Sequence, residues 1–201
     1  MDKRLRFAAV IALQLAILAA VPARQVLARA RGRELTLRTA PVDPFSPFGG
    51  YYLTLGYEVE QPVAGKVEPG LTDGELVYVV VQKGKPAWTL VSVGREPPSP
   101  APERAILRAR WRGARSGPIT PELAPWMRVQ LESAGRFYLP EEKARALEKA
   151  MADEWKRVGG LPWQEREGAR MQTRMLVDLR VDDAGNVALV RLRFGSLTFE
   201  E

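Results

Sequence analysis

A chain of 201 residues, 46% of them hydrophobic, is long enough for one domain with its own core plus an appendage. It contains no cysteine and no histidine, which removes disulfides, thiolate nucleophiles, Cys-bearing zinc sites and the commonest general base. The net charge of +6 does not belong to the domain: residues 1–33 carry seven basic residues and one acid, and the remainder balances at 23 of each sign, so no nucleic-acid partner is expected.

The chain opens on a basic cluster, Lys3, Arg4 and Arg6, followed by an apolar run in which only Gln14 is polar between Phe7 and Val21. That run is short of the roughly 20 residues a bilayer span needs, but Arg4, Arg6 and Arg24 are placed to extend to the interfaces. A cleaved signal peptide ending near Val21-Pro22-Ala23 competes with an uncleaved anchor. Pro22 is a poor cleavage neighbour, and Gln25 to Ala30 continues the helix as a stalk. Basic residues on both sides argue against a helix buried in a soluble core. The expectation is an anchor and stalk over residues 1–32, with residues 5–23 in the lipid bilayer and a domain over residues 33–201. Charge alone does not orient the segment. A short basic N-terminus in the cytoplasm, with the large domain exported, is the commoner arrangement.

Beyond Gly32 the pattern is mostly β. "RELTLRT" (33–39) alternates polar and apolar, a half-buried strand signal. Tyr51 to Glu60 reads as the next strand. "ELVYVVVQ" (75–82), Lys83-Gly84-Lys85 and "PAWTLVSVG" (86–94) read as a hairpin. "REPPSPAPE" (95–103) is a loop, because its prolines cannot join a ladder. Strands follow at Ala105 to Trp111 and Trp126 to Glu132, and Ser133-Ala134-Gly135 turns into "RFYLP". One helix is expected near 140–158, opened by Pro140, Glu141 and Glu142, with Ala144, Leu147, Met151, Trp155 and Val158 on its apolar face. Two alternating strands joined at Asp183-Ala184-Gly185-Asn186 close the chain. About eight or nine short strands without alternating helices predict an antiparallel barrel or sandwich.

Within "GGYYLTLGYEVE" (49–60), Tyr51, Leu53, Leu55, Tyr57 and Val59 share the expected core face, while Tyr52, Thr54, Gly56, Glu58 and Glu60 share the wet one. Prolines 41, 44 and 47 keep the approach out of a ladder, so strand 33–39 crosses to a new position before the chain resumes. Gly56, facing outward, marks a bulge or a close backbone approach.

Gly50, Tyr52, Leu55 and Tyr57 match the pattern G-D-Y-x-x-L-x-Y, and Thr39 to Pro44, with Asp43, is similar to that family's approach segment. The chain thus resembles the GDYxxLxY family of membrane-anchored bacterial proteins; "GRFYLPEE" (135–142) is a second, weaker shared feature. The resemblance implies an N-terminal membrane segment and an exported domain of unknown function, and it implies no reaction. The chain departs from the pattern at Tyr51, which stands where the family has Asp.

An exported domain behind a membrane helix invites a Ser/Lys dyad, but no serine lies in a Ser-x-x-Pro segment just after the anchor, and no lysine lies in an activating strand context. Among carboxylates suited to paired acid–base work, Asp73, Asp182 and Asp183 suit turn geometry, as Asp43 suits an Asx-turn; Glu75 and Asp178 complete the set. Arg108, Arg110 and Arg112 alternate on one strand face. They read as a solvated face paired with neighbouring acids, or as a site for an acidic partner or lipid head groups. The five tryptophans read as core rather than as sugar platforms. The expected function is a membrane-anchored, extracytoplasmic, non-enzymatic module at the cytoplasmic membrane. It needs no cofactor or metal and works with another membrane or envelope protein. A small-ligand or lipid-binding barrel, or a Ser/Lys hydrolase, are the alternatives.

Overall fold

A computed structural model describes residues 3–40, 52–61, 66–99, 101–113, 128–162, 165 and 174–200. Among the described residues ten strands form three antiparallel sheets, with a helix at the N-terminus and another before the last three strands. The mainly β, antiparallel expectation therefore holds. The count exceeds it because Gly195, at φ +57, folds the chain end back as a further strand, Leu197–Glu200.

Helix α1 runs from Lys3 to Arg31. No helix among the described residues is long and apolar enough to cross a membrane, so the expected spanning helix is not found there. The helix forms where expected, but its apolar stretch is short and Gln14 interrupts it. Its last turns are not a free stalk. Ala28 is fully buried, and Arg180 donates to the Arg29 carbonyl at 2.6 Å. Gly32 follows because a Cβ there would meet the Ala28 oxygen at 2.2 Å and the Val181 nitrogen at 2.9 Å.

The first sheet has the order β1 (Arg33–Arg38), β8 (Leu176–Val181), β9 (Val187–Phe194), β10 (Leu197–Glu200). The second has the order β4 (Thr89–Gly94), β3 (Leu76–Gln82), β5 (Arg104–Arg112), β6 (Arg128–Leu131). β2 (Tyr52–Thr54) and β7 (Arg136–Tyr138) form a two-stranded third. One apolar cluster joins them, with Leu35 and Leu37 from β1, Val77 and Val79 from β3, Leu107 from β5 and Leu179 from β8 among its members. Burial alternates in β5 as the pleat requires: Ala105, Leu107, Ala109 and Trp111 point inward and the arginines outward.

Helix α2 (Glu141–Gly159) follows Pro140 and buries Ala144, Leu147 and Val158 on the core. Trp155 does not join them; it is 56% exposed although Val158, one turn further on, is buried. Trp88 and Trp111 are buried as expected, while Trp126 and Trp163 lie outside the described residues.

The stretch expected as one strand from Tyr51 to Glu60 is strand only over Tyr52–Thr54, and Glu58–Glu60 is a 3₁₀ turn. Its inward face survives the break: Leu53, Leu55, Tyr57 and Val59 are all buried. The close approach expected at Gly56 is present, since Ala40 N–H donates to the Gly56 carbonyl at 2.8 Å. Beside it Thr39 forms an antiparallel bridge with Tyr57, so the end of β1 meets the resumed chain.

Candidate functional site: an aromatic clamp and the cavity beside it

Segment 52–60 is fastened to segment 131–138 at successive points. Leu53 pairs with Phe137 and Tyr52 with Tyr138 in the β2–β7 ladder. The Leu55 N–H donates to the Gly135 carbonyl at 2.9 Å. The Tyr57 hydroxyl, in the interior, donates to the Ala134 carbonyl at 2.8 Å. Glu60 completes the clamp: one carboxylate oxygen accepts from the Leu131 N–H and the other from the Tyr57 N–H, each at 2.9 Å. The chain reversal at Ser133, Ala134 and Gly135, with Ser133 held at φ 63, lets these groups converge.

Glu60, on the face expected to be wet, is instead a clamped, half-buried carboxyl. Burial pushes its pKa up, against the pull of the two backbone N–H groups and of Arg128. The 3₁₀ turn rotates it inward, which strand alternation cannot foresee.

On the outer side of the clamp Tyr52 and Tyr138 lie 6.0 Å apart, and the Arg136 guanidinium sits 5.1 Å from the Tyr52 ring centroid. Arg136 and Tyr138 continue into the wall of a cavity of about 550 Å³. Its polar wall includes Arg29 of α1, Gln130 and Ser133; its apolar floor includes Leu131, Val187 and Leu189. None of its described lining residues is acidic.

Of the other residues singled out, Asp43 and Gly50 lie outside the described residues, as does Tyr51. Leu55 is 6% exposed and Tyr57 1%, so both are core. Tyr52 faces outward, half-buried. Arg108, Arg110 and Arg112 share the outer face of β5. Glu132 pairs with Arg110 at 3.2 Å and Arg108 at 3.7 Å, and Arg112 donates to the Gln130 side chain. Asp182 accepts from the Ala184 and Asn186 N–H groups, and Asp73 accepts from the Gly113 N–H, as turn and loop residues do. Glu75 pairs with Arg95. Asp178 is the unforeseen one: only 2% exposed, it holds Arg193 at 2.6 Å and the Thr36 hydroxyl at 2.7 Å. Of the lysines, Lys66 gives its ammonium to the Leu90 carbonyl and Lys83 pairs with Glu103.

Antiparallel sheets around a shared core, with Leu55 and Tyr57 of the motif turned into it, and an N-terminal helix define a β-rich domain. The chain belongs to the GDYXXLXY protein family, whose model matches residues 14–192. No match was found among curated proteins or among solved structures. The two stretches that carry the resemblance, 50–57 and 135–142, meet in the clamp through Tyr52–Tyr57 and Gly135–Tyr138. Their separation in sequence hides a direct contact in space.

Proposed function

We propose that the chain is a membrane-anchored, extracytoplasmic accessory module without a reaction of its own, acting through another membrane or envelope protein. The observation that carries the reading is the surface of α1. Phe7, Val10, Leu13, Leu15, Ile17 and Leu18 are all exposed, Leu18 to 76%. At 3.6 residues per turn they span about 200° of the helix surface, and Ala8, Ala9, Ala12, Ala16, Ala19 and Ala20 occupy the rest. A helix apolar all round belongs inside protein or lipid. The stretch Phe7–Ala20 is about 21 Å long, against a hydrocarbon layer of about 30 Å. Local thinning of the bilayer and extension of Lys3, Arg4 and Arg6 toward the head groups make up the difference. The short basic N-terminus favours the cytoplasmic side for the leader and the far side for the domain.

The clamp supports a structural rather than reactive role for the family motif, because its inward side chains are spent on core packing and backbone hydrogen bonds. The outer face of β5 and β6, with Arg108, Arg110, Arg112 and Arg128, is the surface offered to an acidic partner.

Fractionation tests the anchor. The intact chain is expected in the inner-membrane fraction, resistant to high salt and released by detergent, and Leu13→Glu with Ile17→Glu should move it to the soluble fraction. Recovery of a soluble form lacking residues 1–23 overturns the anchor. Protease added outside spheroplasts should digest the domain; protection would place it on the cytoplasmic side.

A further inference from the structure

The cavity beside the clamp holds a chemistry that neither the anchor nor the core uses. Its volume of about 550 Å³ falls in the range of about 300–1,000 Å³ that small-ligand sites occupy. Tyr138 stands in its wall with 58% of its surface exposed. That ring is braced. Tyr52, its ladder partner, packs against it at a centroid distance of 6.0 Å, and the Arg136 guanidinium lies over the Tyr52 ring. A braced aromatic ring in a cavity wall is a platform for the apolar face of a flat ligand.

The polar groups beside it suit a ligand that both donates and accepts. Ser133 and Tyr138 bring hydroxyls, which do either. The Gln130 side-chain oxygen accepts from Arg112 at 3.1 Å, and its amide nitrogen has two N–H groups to give. Ser133 is the most informative of the three. It is held at φ 63, the only non-glycine residue with a positive φ among those described. Glycine makes such a turn without strain, whereas a side chain there is strained. A serine kept at that position in a cavity wall points to use of its hydroxyl. On the floor, Leu131 and Leu189 are each only 4% exposed. Such a small apolar patch takes a methyl group rather than an alkyl chain.

We propose that this cavity binds a saccharide bearing an N-acetyl group. The C–H face of a sugar ring stacks on Tyr138. Ring hydroxyls and the acetamido group exchange hydrogen bonds with Gln130, Ser133 and Arg136, and the acetyl methyl rests on Leu131 and Leu189. A sugar ring meets both demands of the wall, being apolar on its C–H faces and rich in donors and acceptors around its edge. The ligand is neutral, so binding calls for no unpaired charge in the lining. Tyr52 of the family motif is then a positioning residue that acts through Tyr138. The proposal rests on the extracytoplasmic reading for its supply of ligand, but titration tests the site on whichever side the domain lies.

The full chain in a polyoxyethylene detergent, which has no sugar head, is titrated calorimetrically with chitotriose, the trimer of N-acetylglucosamine, and with cellotriose, its counterpart without acetamido groups. Saturable binding of chitotriose is expected at millimolar concentration or below, with cellotriose at least fivefold weaker. Tyr138→Ala should weaken binding about tenfold, the worth of one aromatic contact, and Tyr138→Phe should retain most of it. Tyr52→Leu should weaken binding by releasing Tyr138, and Tyr52→Phe, which keeps the ring, should not. Gly135 lines the cavity and a Cβ built on it meets nothing within 4 Å, so Gly135→Phe should fold and block the site. Ser133→Gly separates function from structure: the melting temperature should hold or rise as strain is relieved, while binding falls at least threefold. Lys143→Gln, on the exposed face of α2, should change nothing. Cellotriose bound as tightly as chitotriose, no saturation by either, or undiminished binding by a folded Gly135→Phe or Tyr138→Ala overturns the proposal. Binding intact in a chain whose domain is protected in spheroplasts would fault the location alone; absence of binding in a chain whose domain is digested there would fault the cavity alone.

Discussion

The two described tyrosines of the family motif look alike in sequence and should respond differently to loss of the hydroxyl. Tyr57 is 1% exposed, and its hydroxyl donates to the carbonyl of Ala134, itself fully buried. Tyr57→Phe keeps the ring and its packing but takes the donor from that carbonyl in a place closed to water. A net hydrogen bond is worth about 1 kcal/mol, and a buried acceptor left unsatisfied raises the cost to about 1–3 kcal/mol. For a chain of this size each kcal/mol moves the melting temperature by about 2–4 °C, so a fall of about 2–12 °C is expected. Tyr52 lies half-buried on the outer side, and its ring meets Tyr138 and Arg136. Tyr52→Phe retains those ring contacts and should cost about 1 kcal/mol or less. Thermal and urea melts of the full chain in mild detergent, read by tryptophan fluorescence, compare the two. A Tyr52→Phe protein that loses as much stability as Tyr57→Phe, or more, would refute the assignment of inner and outer tyrosines.

Leu55→Ala removes a buried side chain from the same segment and should cost about 2–5 kcal/mol; a parent-like melt would show that the core had been misplaced. The raised pKa of Glu60 makes the folded state the better proton acceptor. Its contribution to stability is present in full below the unfolded pKa of about 4.3 and is lost as pH rises through the folded value. Glu60→Gln removes that dependence, so urea midpoints of parent and variant should converge or cross between pH 4 and 7; parallel curves would contradict it. Gly185 sits at φ +81 with Arg108 Cγ 2.9 Å from where a Cβ would stand, so Gly185→Ala should destabilise by about 1–3 kcal/mol, with a matching drop in urea midpoint. Glu68 and Glu75 are both held below the usual carboxylate range by hydrogen bonds, with the Arg95 backbone N–H first for Glu68 and that of Thr72 for Glu75. The stability they contribute is present above the unfolded pKa and lost as pH falls through the folded values. Amide exchange of residues 66–75 should therefore speed up at acid pH before the core strands open.

What local pattern determines is the inward or outward direction of apolar side chains. Leu53, Leu55, Tyr57 and Val59 are buried even though the strand stops at Thr54, because each has a large area to remove from water and alternation already sets it apart. The hairpins, the β5 arginine face and the helix after Pro140 are legible for the same reason, since their signals lie within a few residues of one another. Tertiary structure decided the fate of polar groups and the company kept across the chain. Glu60 and Asp178 sit on nominally wet positions, yet Asp178 is buried and Glu60 half-buried, because partners remote in sequence, Thr36 for one and Leu131 for the other, compensate the loss of water. Trp155 has the right spacing for the core and is nevertheless 56% exposed, while Val158 on the same face is buried. The clamp between 52–60 and 131–138, and with it the cavity, depends on contacts some 80 residues apart. A carbonyl such as that of Ala134 acquires its donor only when the whole chain has folded around it, so no neighbouring residue carries a mark of the bond.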